Sequence, residues 1–200
     1  MDQQEAFEQI KLIRETMQQA TRRFFFSPWQ WIEWGIVVII AGLTTQWMIA
    51  ANKSEHIVLL WVAAFIIGSV LEGVAWVLEA QHRGYDPFSP IYLKMWGIFL
   101  CMMLPGVIFT IVLVQINLPL YLVGLWLITI ASVMFVLVIL GERRELMLFG
   151  MFMLIGGLLS LSLLLQQAML VGVACFGMGG LLMGVYLLIK DKTIKKEDLK

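Results

Sequence analysis

Charge is scarce in this sequence. Only 14% of its 200 residues are Asp, Glu, Lys or Arg, where an average globular domain has roughly a quarter. Hydrophobic residues make up 60%, and the mean hydropathy is +0.88. Such a chain has too little polar surface to cover a soluble core and reads as an integral membrane protein. The formal net charge is zero, so no basic excess points to nucleic acid. Cysteine is nearly missing: Cys101 and Cys175 both fall inside apolar runs, where a thiol packs as a small hydrophobe. HExxH pairs, GxSxG elbows, phosphate-binding glycine loops and CxxC pairs are absent, so no familiar catalytic constellation is present and no cofactor is expected. A compact apolar leader is lacking too. Residues 1–28 mix Asp2, Glu5, Glu8 and Glu15 with basic residues, which excludes a cleavable signal peptide and leaves the first membrane helix to act as its own insertion signal.

What the sequence has in abundance is long apolar runs. Helices are expected at Trp29–Ala50, Ile57–Leu78, Ile91–Ile116, Pro119–Leu140, Leu146–Leu165 and Ala168–Ile189, each near the ~20 residues that span a bilayer. The expected fold is an all-α polytopic membrane protein with six transmembrane helices. Ser27, Pro28 and Gln30 supply a cap, a first-turn proline and a capping box for the first span. Ahead of it, Ala6, Ile10, Ile13, Met17, Ala20 and Phe24 recur at spacings of four and three among charged residues, which predicts one amphipathic helix over 1–26. Its apolar face, Ile10, Ile13, Met17 and Phe24, suits the bilayer surface or a partner helix. The chain therefore divides into this helix, a membrane domain over 27–189 and a basic tail over 190–200.

Basic residues sort by side. Lys11, Arg14, Arg22, Arg23, Arg83, Lys94, Arg143, Arg144 and the five lysines from Lys190 to Lys200 lie at one end of the helices, and Lys53 alone lies at the other. The positive-inside rule then predicts both termini in the cytoplasm. Two links, around Asn117 and at Gln166–Gln167, are so short that helices three and four, and five and six, must form hairpins. Ser27, Pro28, Trp34, Gly35 and Ile36 match Ser89, Pro90, Trp96, Gly97 and Ile98 at one constant offset, with a fainter echo at Phe149–Gly150. These matches predict three tandem hairpins of one orientation.

Few polar residues lie within the spans. Glu72 follows Ile57 by fifteen residues, which puts it ~22 Å below the outer boundary and ~10 Å above the cytoplasmic one. Glu79, Ser69 and Trp76 share its helix face, and Glu33 and Lys94 enter at a similar level from the first and third helices. Glu72, Glu79, Glu33 and Lys94 thus form a candidate intramembrane polar site, with Glu72 as a proton or cation ligand. The structural alternative has Lys94 snorkelling to the interface, Glu79 in water at the helix end and Glu72 hydrogen-bonded to a neighbouring helix. His56 and His82 belong to opposite sides, which excludes a haem held between two helices because axial ligands must meet at one depth. The loop from Ala80 to Pro90 carries the turn chemistry of Gly84 and Asp86–Pro87. In helix six, Gly180 and Gly184 form a GxxxG pair that suits close packing, either against helix five or three or between two copies of the chain. Thirteen methionines show no spacing to Cys or His that would mark a soft-metal path. Pro105 is expected to kink helix three near mid-membrane.

The stretch KLIRETMQQATRRF from Lys11 to Phe24, with CFGMGGLLMGVY from Cys175 to Tyr186, resembles a group of bacterial six-helix membrane proteins. Those share an amphipathic helix before the first span, an Arg-containing link before helix five and a Gly-rich sixth helix ending in Tyr and a basic tail. The resemblance implies a bacterial inner-membrane protein and carries over no activity and no site residues. Two functions follow as expectations. The first is a non-enzymatic inner-membrane protein, self-associating or serving as a membrane subunit or regulatory anchor, that presents its amino-terminal helix and basic tail to a cytoplasmic partner. The second is a small transporter using Glu72 as its proton or cation site.

Overall fold

In hydrocarbon a backbone can satisfy its own N–H and C=O groups only as a helix or a closed barrel, so apolar runs of this length become helices. The computed structural model describes residues 7–12, 28–83, 86, 88–116, 118–141 and 144–197, and among these no strand occurs. Residues 7–12 form a short helix. The spans are α1 (Pro28–Ala50), α2 (Ile57–Arg83), α3 (Pro90–Gln115), α4 (Tyr121–Gly141), α5 (Arg144–Ser162) and α6, which runs through Ala168–Gly172, Val173–Met178 and Gly179–Glu197. All six are long and apolar enough to cross a membrane. The protein is thus an all-helical membrane protein.

Most span ends fall within about two residues of the sequence expectation, and the ends of α2, α5 and α6 differ by more. α2 continues through Arg83 instead of ending at Leu78, so Ala80 to Arg83 belong to the helix and not to the loop. Nothing in Glu79–Arg83 breaks a helix, and Gly84 is the first residue that does. α5 stops at Ser162, and a single 3₁₀ turn over Leu165–Gln167 makes the link to α6. α6 contains a π-helical stretch, Val173–Met178, and continues to Glu197, so most of the basic tail extends the last span. The residues Ile13, Met17, Phe24 and Ser27, together with Gly84, Tyr85, Pro87, Asn117, Glu142 and Arg143, lie outside the described residues.

The link from α1 to α2 shows how a span is stopped within a few residues. Asn52 has φ 55, the left-handed conformation that Asn tolerates better than most residues. The Asn52 N–H donates to Ile49 at 3.1 Å and the Lys53 N–H to Met48 at 2.9 Å, which satisfies carbonyls at the helix end that hydrocarbon would leave bare. At the end of α3 the Leu118 N–H donates to Leu113 over the same five-residue span, at 2.8 Å.

The core lies among α4, α5 and α6, where Leu127, Ala131, Leu137, Leu146, Met153 and Leu187 are buried, with Trp31 reaching in from α1 to meet Phe149 edge-on at 5.1 Å. Glycine sets how close the helices come. A Cβ at Gly35 would sit 2.8 Å from the Gly177 carbonyl, one at Gly184 would sit 2.7 Å from the Pro28 carbonyl, and one at Gly157 would sit 2.9 Å from the Gly124 carbonyl. The backbones of α1 and α6, and of α4 and α5, are therefore in direct contact, as small residues permit in membranes. The GxxxG pair Gly180 and Gly184 faces α1 of the same chain, neither α5 nor α3, so the first and last spans are joined. Its neighbour Gly179 turns to Phe149 and Phe152 of α5. α2 packs on α1, and α3 on α4. These two are peripheral: 6% of each span is buried, against 39% for α5 and α6.

Candidate functional site

Glu72 is held by α1. Within the described residues its Oε1 accepts a hydrogen bond from Gln30 Nε2 at 3.0 Å, and its Oε2 accepts one from the Trp34 indole N–H at 2.8 Å. Gln30 and Trp34 are one turn apart on α1 and project from one face, so a single carboxylate on the facing helix can meet both. The facing surface of α2 is built to match. Phe65, Gly68 and Glu72 follow at spacings of three and four, and the Trp34 ring lies across Gly68, where an added Cβ would come within 2.9 Å of the indole. Phe65 flanks the same indole, with ring centroids 6.0 Å apart. Gly68 is therefore the residue that lets Trp34 reach down to Glu72. Gln30, expected to cap its own helix, instead turns its amide donor across to α2.

Glu33 sits close enough to Glu72 for their charges to interact. Its Oε1 is buried and has no hydrogen-bond partner among the described residues. Two described ion pairs are His56 with Glu55 at 3.4 Å, exposed, and Lys190 with Glu145, which ties the end of α6 to the start of α5. Neither touches Glu33 or Glu72. The cluster consists of two carboxylates, a neutral amide and a neutral indole within the span, without a described cationic side chain.

Lys94 is exposed on α3. Glu79, two turns after Glu72, is half-buried and engaged in contacts of its own. Trp76 turns away from α1 and packs on Phe88 and on Trp96 of α3, with centroids 6.0 Å and 5.8 Å apart, while Ser69 is exposed. The face read as one polar strip thus divides: Glu72 belongs to the α1 side, Trp76 to the α3 side. No group of three or more His, Cys, Asp or Glu able to hold a metal occurs among the described residues. Cys175 is buried against Gly156 and Cys101 is exposed.

Chemically, a carboxylate whose two oxygens both accept bonds from neutral donors is oriented but not neutralised. A protonated carboxyl is also a donor, so taking up a proton changes what either glutamate can bind as well as its charge. No protein-family model, no curated protein and no solved structure matches this chain.

Proposed function

We propose that this protein is a small transporter that takes up a proton or a monovalent cation at Glu72, with Glu33 as the second carboxylate. The observation that carries the reading is the missing counter-charge: two interacting carboxylates within the spans, one held by Gln30 and Trp34 and the other with a bare buried oxygen, with neither described ion pair touching them. Intramembrane charge needs a partner, and where the described residues supply none the exchanging ion supplies it. Gln30 and Trp34 orient Glu72, while Glu33 makes the site bind positive charge and release it as its own environment changes.

The orientation belongs to the same proposal. In the sequence the basic set, with Lys11, Arg14, Lys94 and Lys190, flanks the helix ends nearest Glu72, which the positive-inside rule puts in the cytoplasm with both termini inside; the membrane is then the bacterial inner membrane that the resemblance implies. The site then opens towards the inner leaflet. The bundle is proposed to be three tandem hairpins. In the first, the Trp61 indole donates to Thr45, and in the second the Trp126 indole donates to Thr110; both bonds are 3.0 Å and both span 16 residues. Each threonine also donates to the carbonyl four residues earlier, Ala41 or Gly106. The third hairpin keeps Gly156 and Ser160 in this register, with Phe176 where the tryptophan would stand, and Ser160 Oγ is buried without a partner.

The test is ion flux into proteoliposomes with a trapped pH dye, under an imposed membrane potential and with sodium or potassium gradients. Wild-type protein should move protons or the cation, and Glu72→Gln should slow the flux about tenfold or more, the equivalent of ~1.4 kcal/mol. Flux that is indifferent to Glu72→Gln overturns the assignment.

A second reading has one observation in its favour. The helix over 7–12 exposes Phe7, Ile10 and Leu12, which suits an anchor laid on the bilayer surface or on a cytoplasmic protein. Pull-down from native membranes with and without residues 1–26 tests it, and a partner set unchanged by the truncation counts against it.

A further inference from the structure

Three hairpins in a row create three junctions, each between the second helix of one hairpin and the first helix of another. Two are closed and marked by a glycine preceded by an aromatic residue. At the junction of α6 with α1, Gly35 meets the Gly177 carbonyl and Leu181. At the junction of α4 with α5, Gly150 meets Phe135 and Met134, where an added Cβ would be 3.0 Å and 3.1 Å away. Trp34 and Phe149 precede these glycines.

The third junction lies between α2 and α3, and its marker is Trp96–Gly97. Here the pattern breaks. A Cβ built at Gly97 meets nothing within 4 Å, and neither does one at Gly73 of α2. α2 and α3 are not among the helix pairs whose backbones pack closely, although a short link joins them. What lies between them is an aromatic wedge near the basic end, Trp76 against Trp96 and Phe88, with Phe99 edge-on to Trp96 at 5.8 Å. Trp34, the counterpart of Trp96, instead lies within its own hairpin, over Gly68 of α2.

We propose that the α2–α3 seam is a gate, which closes when Trp96 leaves Trp76 and Gly97 moves against α2 near Gly73, as Gly35 and Gly150 already pack at the other two junctions. The proposal rests on the hairpin repeat and goes beyond the ion site. Closing meets little steric resistance at Gly73 and Gly97, which have open space above them, and helix association in membranes depends on close packing at such small residues. It also explains why α2 and α3 are the two least buried spans.

Cross-linking in native membranes tests this without measuring transport, so it can fail independently of the role of Glu72. Gly73→Cys and Gly97→Cys are combined with Cys101→Ser, leaving Cys175, which is buried. Both glycines have open space, so the substitutions meet no steric obstacle. A disulfide requires Cα atoms within about 7 Å and therefore reports the closed seam. Oxidation should give a linked peptide within one chain, detected by mass spectrometry, and adding Trp96→Leu should raise its yield several-fold by removing the wedge. No disulfide in either background, a link between two chains, or a yield unchanged by Trp96→Leu overturns the proposal.

Discussion

Replacing Glu72 by leucine separates a site kept for function from one kept for structure. Glu72→Leu deletes the hydrogen bonds from Gln30 and Trp34. Interhelical hydrogen bonds in membranes contribute on average ~0.6 kcal/mol each, so two bonds amount to about 1 kcal/mol, and about 3 kcal/mol at the upper limit. Against this, a charged acidic side chain near a span centre costs ~2.5–3.5 kcal/mol, while leucine gains ~0.3–0.6 kcal/mol. Glu72 lies nearer one end, which reduces the first figure, and the indole and amide left without an acceptor reduce the second. The net effect is near zero. Glu72→Leu should therefore elute from size exclusion in detergent as folded protein and melt within a few degrees of wild type, yet carry no ion flux in vesicles. Glu72→Gln, which retains one acceptor oxygen, should behave likewise. Loss of folded protein on Glu72→Leu would refute the arithmetic and assign Glu72 to holding α1 and α2 together.

Two further substitutions test the geometry around the site and the bundle. Gly68→Ala puts a Cβ within 2.9 Å of the Trp34 ring, so it should displace the indole from Glu72 and reduce flux while every carboxylate remains; Trp34 fluorescence, isolated by replacing the other tryptophans with phenylalanine, should shift with it, and an unchanged spectrum would count against the cradle. Gly184→Ala drives a methyl to 2.7 Å from the Pro28 carbonyl and 2.6 Å from Ile32, which should cost about 1–3 kcal/mol as overpacking. Gly73→Ala, in open space, should be neutral or gain up to about 1 kcal/mol from its better helix propensity, and equal melting temperatures for the two variants would contradict the packing described.

The spans were legible because their signal is one-dimensional. A run of apolar residues long enough to cross hydrocarbon must be helical whatever surrounds it, and all six were found with errors confined to their ends. The extra turn of α2 was missed because the loop was started at the first polar residues, though Ala80–Arg83 contain nothing that breaks a helix. The candidate site was half legible. Glu72 was marked by its depth, but Gln30 carries an equally good reading as a cap, and Gly68 among many glycines carries no signal of its own. Which helix a glycine faces is a matter of rotation and neighbour order, so Gly180 and Gly184 were recognised as packing residues while α1 was not recognised as their partner. The Thr45–Trp61 and Thr110–Trp126 pairs share a spacing of 16 residues that is present in the sequence, but only the packing shows that hydroxyl and indole meet.

By itself, then, the sequence determined that the chain is a six-helix membrane protein and which carboxylate lies within a span, because hydropathy and depth are properties of one segment at a time. Only the tertiary structure decided that Gln30 and Trp34 of α1 grip Glu72, that Glu33 has a bare buried oxygen while Lys94 is exposed, and that α2 and α3 meet through aromatic rings instead of close-packed backbones. Those are relations between helices, set by which glycines allow two backbones to approach.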